Sequence, residues 1–283
     1  MQIGLHIPQD GMKYNQIKET VLKAEKTGLE FISVMDHLHA SPRPDQQDFL
    51  ECWTLLSSLA SETTHIRLTP LVLNINNRNP ALLAKMASTL DQISSGRLVL
   101  GIGAGGTNRA SRQKQNGFEY EFDAYGLDFP MKPSKRIERL GEGLEVIKQM
   151  WTTEKASYSG RHYSLQDAIC RPKPVQKPYP PILIGSKGGS LMMKLIAKHA
   201  DVWDYMGAST VEDLVEGRLI LKKACGKAGR DPMDIKVSMR VRGTVDGCID
   251  KLGRLEDEGL DQAVLVAPKG KEIEFLEDLT SKL

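Results

Sequence analysis

Asp36, His37 and His39 stand within four residues of one another, two imidazoles beside a carboxylate. A neutral imidazole can donate a hydrogen bond to a ring oxygen, and near neutral pH it can carry a proton. A metal would need further ligands at a recognisable spacing, and none follows. A plain packing role is the other reading of such a histidine. Gly185-Ser-Lys-Gly-Gly-Ser190 has a composition suited to an anion. Glycines let the backbone approach closely, Lys187 adds charge, Ser190 can cap a following helix, and free N–H groups at a helix start favour phosphate. The spacing is not that of a Walker loop; the simpler alternative is a capped strand-to-helix turn. Gly101-Ile-Gly-Ala-Gly-Gly106 could pass for a dinucleotide fingerprint, but Thr107 to Gly117 is polar and lacks an apolar helical stripe. A Rossmann turn must open directly into a helix. Bare glycines leave room for a flat ring instead. No GxSxG elbow is present and no cysteine is near a histidine in sequence. Side chains alone declare no reaction, so a phosphate-bearing cofactor is the expected carrier of the chemistry.

The elements that must position these residues alternate in period. Strands are expected at Ile3–Ile7, Leu29–Met35, Ile66–Leu73, Arg97–Ile102, Pro181–Gly185, Asp201–Met206, Ile235–Val241 and Gln262–Val266. Between them lie stripes at helical spacing, such as Ile17, Val21, Ala24 and Gly28, or Leu82, Leu83, Met86, Leu90 and Ile93 behind Pro80. Eight such units predict an α/β fold, a (β/α)8 TIM barrel. An open doubly wound sheet also alternates strands and helices, but its glycine-rich turn follows the first strand, where this chain has Pro8-Gln-Asp-Gly11. The reading is one domain over 1–283 with an extended loop at about 103–133. A barrel places its active site at the C-terminal strand ends. That rule selects His6, then Asp36 and His37, then Asn74, then Gly103, Gly105 and Gly106, then Ser186, Lys187, Gly188 and Gly189.

Composition narrows the partners. Lys plus Arg total 38 against 36 Asp plus Glu, a net charge of +2, which does not suggest the concentrated basic field of a nucleic-acid binder. Cys52, Cys170, Cys225 and Cys248 are far apart, which argues against a zinc site or a disulfide framework. No apolar run is long enough to cross a bilayer and no targeting segment is visible, so a cytoplasmic protein with a small-molecule substrate is expected.

Several stretches are similar to the bacterial luciferase-like family of flavin- and deazaflavin-dependent oxidoreductases. They are Asn79-Pro-Ala-Leu-Leu-Ala-Lys85 through Ser94-Ser-Gly-Arg-Leu-Val-Leu-Gly-Ile-Gly-Ala-Gly105, Arg136 to Trp151, Arg171-Pro-Lys-Pro-Val-Gln-Lys-Pro-Tyr-Pro-Pro-Ile-Leu-Ile-Gly185 and Ala200-Asp-Val-Trp203. The resemblance implies a (β/α)8 barrel holding coenzyme F420, or alternatively FMN, at the strand ends. It puts the cofactor phosphate on Ser186 to Gly189. It also implies a bulge after the third strand, with a non-proline cis peptide backing the ring, placed at Leu71-Val72. Asp36-His37 matches the Asp-His pair of the deazaflavin-using branch, with His37 polarising ring or substrate and Asp36 orienting it. The implied activity is hydride transfer between the deazaflavin and a small organic substrate, as in the similar methylene-tetrahydromethanopterin reductases. The alternatives are an FMN-dependent monooxygenase or reductase and a non-catalytic flavin-binding barrel. Relatives of this kind imply a homodimer. Three departures are visible: Gly106 replaces a glutamate, Ser41 replaces a tryptophan, and Thr107 to Tyr120 is longer than usual.

Overall fold

Strands buried on both faces read as continuous apolar runs, and helices that cover them need only one apolar stripe. In the computed structural model, which describes residues 1–40, 46–106 and 120–282, that rule produces a ring of parallel strands inside a layer of helices. The first half runs β1 (Gln2–His6), α1 (Tyr14–Lys26), β2 (Phe31–Val34), α2 (Cys52–Glu62), β3 (Arg67–Pro70), β4 (Leu73–Asn74), α3 (Pro80–Ile93) and β5 (Leu100–Gly103). Next come α4 (Tyr120–Ala124), α5 (Pro133–Thr152), β6 (Ala156–Ser159), β7 (Ser164–Ala168), β8 (Ile182–Ser186) and α6 (Ser190–His199). The chain ends with β9 (Val202–Tyr205), α7 (Val211–Ala228), β10 (Lys236–Arg242), α8 (Val245–Asp257), β11 (Gln262–Val266) and α9 (Glu272–Lys282).

The main sheet orders its strands β3-β2-β1-β11-β10-β9-β8-β5-β4. Its two ends meet beside β5: Leu73 pairs with Ile102 in β5, and Leu68 bridges Leu98 just before it. β3 and β4 are thus one stave of an eight-stave barrel, interrupted at Leu71-Val72, whose peptide bond is cis. The expected third strand, Ile66–Leu73, divides there. The expected loop at 103–133 also needs correction, because α4 lies inside it. The long segment from Thr107 falls outside the described residues as far as position 119, as does Ser41.

Local chemistry explains the element ends. The Asn79 side chain accepts hydrogen bonds from the N–H groups of Ala81 and Leu82, and Pro80 opens α3. Gly96 beyond its end has φ of 85° and donates its N–H to the Asp91 carbonyl. Arg97 then ties the base of the barrel together, donating to the Thr63 hydroxyl and to the carbonyls of Ser94, Ile66, Ala60 and Thr63.

Inside the barrel, Phe31, Leu71, Val99, Leu183, Val202 and Val264 form a buried apolar plug. Gly4 faces the Phe31 ring so closely that any Cβ there would collide with it. The plug separates two cavities. One of about 390 Å3 opens at the strand starts beside Arg67 and Lys236, and one of about 360 Å3 opens at the strand ends. All four cysteines are buried free thiols, and among the described residues no helix is long and apolar enough to cross a membrane.

Candidate active site

The cavity at the strand ends brings together most of the residues selected from sequence. His6, Asp36, His37, Leu71, Val72, Asn74, Gly105 and Gly106 all line it. Gly103 sits behind the wall, where a Cβ would lie 2.9 Å from Val72 Cγ2. Gly105 has φ of 75°, and a Cβ there would approach Asn74 Oδ1 to 2.7 Å, so only glycine fits.

Asp36 is the knot that fixes this end of the barrel. Its Oδ2 accepts from the Asn74 N–H at 2.9 Å, from Asn77 Nδ2 at 3.2 Å and from Arg78 Nη1 at 2.9 Å. Its Oδ1 accepts from Arg78 Nη2 at 2.9 Å. Arg78 also reaches Glu51 Oε1 at 2.6 Å. Burial by itself would lower the Arg78 pKa, but the Asp36 and Glu51 carboxylates raise it above the ordinary arginine value. Glu51 caps α2 through the Trp53 and Thr54 N–H groups, and those bonds outweigh burial to hold its carboxyl below the usual range.

The carboxylate that orients His37 is therefore not Asp36. It is Glu121, on α4, whose Oε2 lies 3.1 Å from His37 Nδ1 and whose Oε1 accepts from the Leu38 N–H. Glu121 is 1% exposed, so it is a fixed partner and not a solvated neighbour. Phe49 packs edge-on against the same imidazole at 6.4 Å. His39 turns to the Ala40 carbonyl instead, with its Nδ1 at 3.0 Å. Above the glycines, Arg136 from α5 donates Nε to the Gly105 carbonyl at 3.2 Å and Nη1 to the carbonyls of Pro130 and Met131.

Ser186 to Gly189 do not line the cavity; they form the adjacent turn from β8 into α6. The cap residue of α6 is Gly189, which has no side-chain acceptor, so Ser190 does not play the capping role expected of it. Gly188 has φ of 84° and gives its N–H to Ser186 Oγ at 3.1 Å. The buried Trp203 indole donates to the Ser186 carbonyl at 3.1 Å and sits under Gly188. The result is an uncapped helix start at the mouth rim, shaped for an anion.

Comparison with known proteins identifies the family. Residues 1–261 fit the sequence profile of the luciferase-like monooxygenases. The chain belongs to that luciferase-like family. Its members and neighbours are oxidoreductases and monooxygenases, and this luciferase-like chain is an enzyme of that class. It is 30% identical over 219 residues to an uncharacterized protein of Mycobacterium tuberculosis, covering 77% of this chain and 70% of that one. Pyrimidine monooxygenase RutA of Rhizobium rhizogenes is 29% identical over 263 residues, covering 91% of this chain and 68% of the other. In structure, the coenzyme F420-dependent tetrahydromethanopterin reductase of Methanopyrus kandleri superposes with a TM-score of 0.80 at 20% identity, over 100% of this chain and 98% of that one.

Glu121, Arg78, Arg136, Arg240 and Arg242 were not selected from the sequence of the luciferase-like chain. Glu121 and Arg78 act through contacts far apart in sequence, and Arg136 reaches the glycines at Gly105, 31 positions before it. Arg240 and Arg242 sit at the end of β10, where the strand-end rule would have found them once that strand was extended to Arg242.

His6 carries a measurable consequence. Its Nδ1 lies 3.0 Å from Ser33 Oγ, and burial, with Arg240 and Arg242 nearby, pushes the imidazole from 6.5 down to about 3. Below pH 6.5 the unfolded chain takes up a proton that the folded one refuses. This contribution to stability is full above pH 6.5 and is lost as pH falls toward 3. At about 1.36 kcal/mol per pKa unit, the loss between pH 6.5 and 5 is about 2 kcal/mol. Urea unfolding at both values should show His6→Gln losing about 2 kcal/mol less than the parent protein. Equal losses would mean the His6 ring titrates normally.

Proposed function

We propose that the protein is a deazaflavin-dependent oxidoreductase that moves a hydride between coenzyme F420 and a small organic substrate. The observation that carries this reading is His37, held by the buried Glu121 carboxylate at a cavity whose far wall contains the Leu71-Val72 bulge. Hydride addition to an organic acceptor must be matched by a proton. A carboxylate-bound imidazole at the cavity is a group able to give or take it.

The residues present fit such a cofactor. Gly103 lets the Val72 side chain pack close behind the wall, and at Gly106, which lines the cavity, a Cβ would meet nothing within 4 Å, which leaves room for a flat ring there. The first-turn N–H groups of α6, with Lys187 nearby, suit its phosphate. When bound, the deazaflavin supplies the hydride chemistry. The chain supplies the backing wall, the anchored tail and the proton. The kinship to RutA over 91% of the chain supports a second reading, an FMN-dependent monooxygenase working in the same cavity.

Parallel titration of the purified protein with F420 and with FMN separates the two. Tight binding of F420 with weak FMN binding is the expected result, and tight binding of FMN alone would replace the first reading with the second. Gly188→Asp sets a carboxylate against the phosphate and should weaken binding of the preferred cofactor at least about tenfold, the scale of one lost charged contact. Unchanged affinity would move the phosphate elsewhere.

A further inference from the structure

β3/β4 and β10 are the third and seventh of the eight staves, so they face each other across the mouth. The first wall of the cavity is apolar at Leu71, Val72 and Leu73. The opposite wall carries Arg240 and Arg242, two residues apart on one strand and thus on the same side of it. Their guanidinium groups are unspent. Among the described residues Arg242 has neither a hydrogen bond nor an ion pair. Arg240 makes no hydrogen bond, its buried Nε has no partner, and its side chain is only 24% exposed. Its single charge contact is Asp204 Oδ2 at 3.6 Å, beyond hydrogen-bonding reach.

Beneath it, Asp204 is register partner to Ser238. Both Asp204 oxygens and Ser238 Oγ are buried without a hydrogen bond. A solvated surface arginine explains Arg242 taken alone. It does not explain a three-quarters-buried arginine side chain with no hydrogen bond beside an orphaned carboxylate.

We propose that Arg240 and Arg242 form the anion-holding wall of the substrate subsite, and that the substrate is a small organic acid whose carboxylate they grip. The inference rests on the ring site proposed above. A ring backed by the Leu71-Val72 wall turns its open face to these arginines, so the substrate lies between the two. Two guanidinium charges less one Asp204 carboxylate leave a charge of one, which suits a monoanionic carboxylate better than a phosphate dianion. The site is separate from the cofactor's phosphate turn. β8 and β10 are separated by one strand, a spacing of about 10 Å.

The test uses benzoate and its neutral isostere benzamide, titrated calorimetrically into the protein alone and into the protein loaded with whichever cofactor binds. Benzoate should bind at least tenfold more tightly than benzamide. Arg242→Gln, exposed and unpaired, should remove that preference without loss of fold, and Arg242→Lys should restore part of it. Arg240→Gln combined with Asp204→Asn should weaken benzoate at least tenfold and leave benzamide unchanged. Equal binding of the two probes, or a benzoate preference that survives both arginine variants, would overturn the proposal. So would a preference abolished by Gly188→Asp alone, which would place the anion on the phosphate turn. Failure of the ring site would appear separately, as absent cofactor binding in the titration above, while the unloaded protein still reports on the arginines.

Discussion

Arg78→Leu should lower folding stability by about 3–5 kcal/mol, the cost of stranding a buried charge. Asp36 is the stranded group: its side chain is 1% exposed, and half of its four hydrogen bonds come from Arg78. Glu51 would lose the same partner but is 40% exposed, so water replaces part of that contact. For a chain of this size the melting temperature should fall by roughly 6–15 °C. The double variant Arg78→Leu with Asp36→Asn should recover at least half of the loss, because the uncompensated charge is then gone. A loss below about 1 kcal/mol would mean that Asp36 is reached by water. The same knot holds the Asn74 backbone at the cavity edge. Cofactor affinity should therefore drop along with stability, and both can be read from one thermal-shift series with and without cofactor.

His37→Ala should slow hydride transfer by about 10²–10³-fold, within the range for loss of a positioned proton carrier. Its effect on the cofactor dissociation constant should stay within a factor of about three, since no charged contact to the ring is removed. Single-turnover oxidation of the bound reduced cofactor by the substrate gives the rate, and equilibrium titration gives the affinity. Glu121→Gln keeps the shape and removes the charge that orients the imidazole. It should fall between the parent and His37→Ala in rate. A larger loss of affinity than of rate would make His37 a packing residue. A rate equal to the parent's for Glu121→Gln would detach Glu121 from proton handling.

The repeating core was legible because each stave of the barrel imposes its own period on the chain. Continuous runs such as Ile182 to Ser186 are buried on both faces, and helices such as α3 bury only one stripe. The β6–β7 hairpin escaped because it is short, mostly exposed and carries polar residues, so it has no apolar alternation to read. The site was half legible for a related reason. Strand ends identify which residues surround the mouth, as at His6, His37 and Asn74. They do not identify which of those residues hold one another. Asp36 finds Arg78 across 42 positions and His37 finds Glu121 across 84, distances at which spacing carries no information. The Asp36-His37 dipeptide looks like a working pair in sequence, yet the barrel sends the two side chains to different partners.

The six apolar residues that block the barrel midway have a bearing on the timing of turnover. Among the described residues the lower end is sealed, so what reacts arrives and departs at the strand-end mouth. A bulky pigment seated against the inner wall must then enter before its smaller reaction partner, and must wait for the product to go before it can leave. With the ring placed as proposed, ordered binding is the expected kinetic pattern, whichever pigment is held.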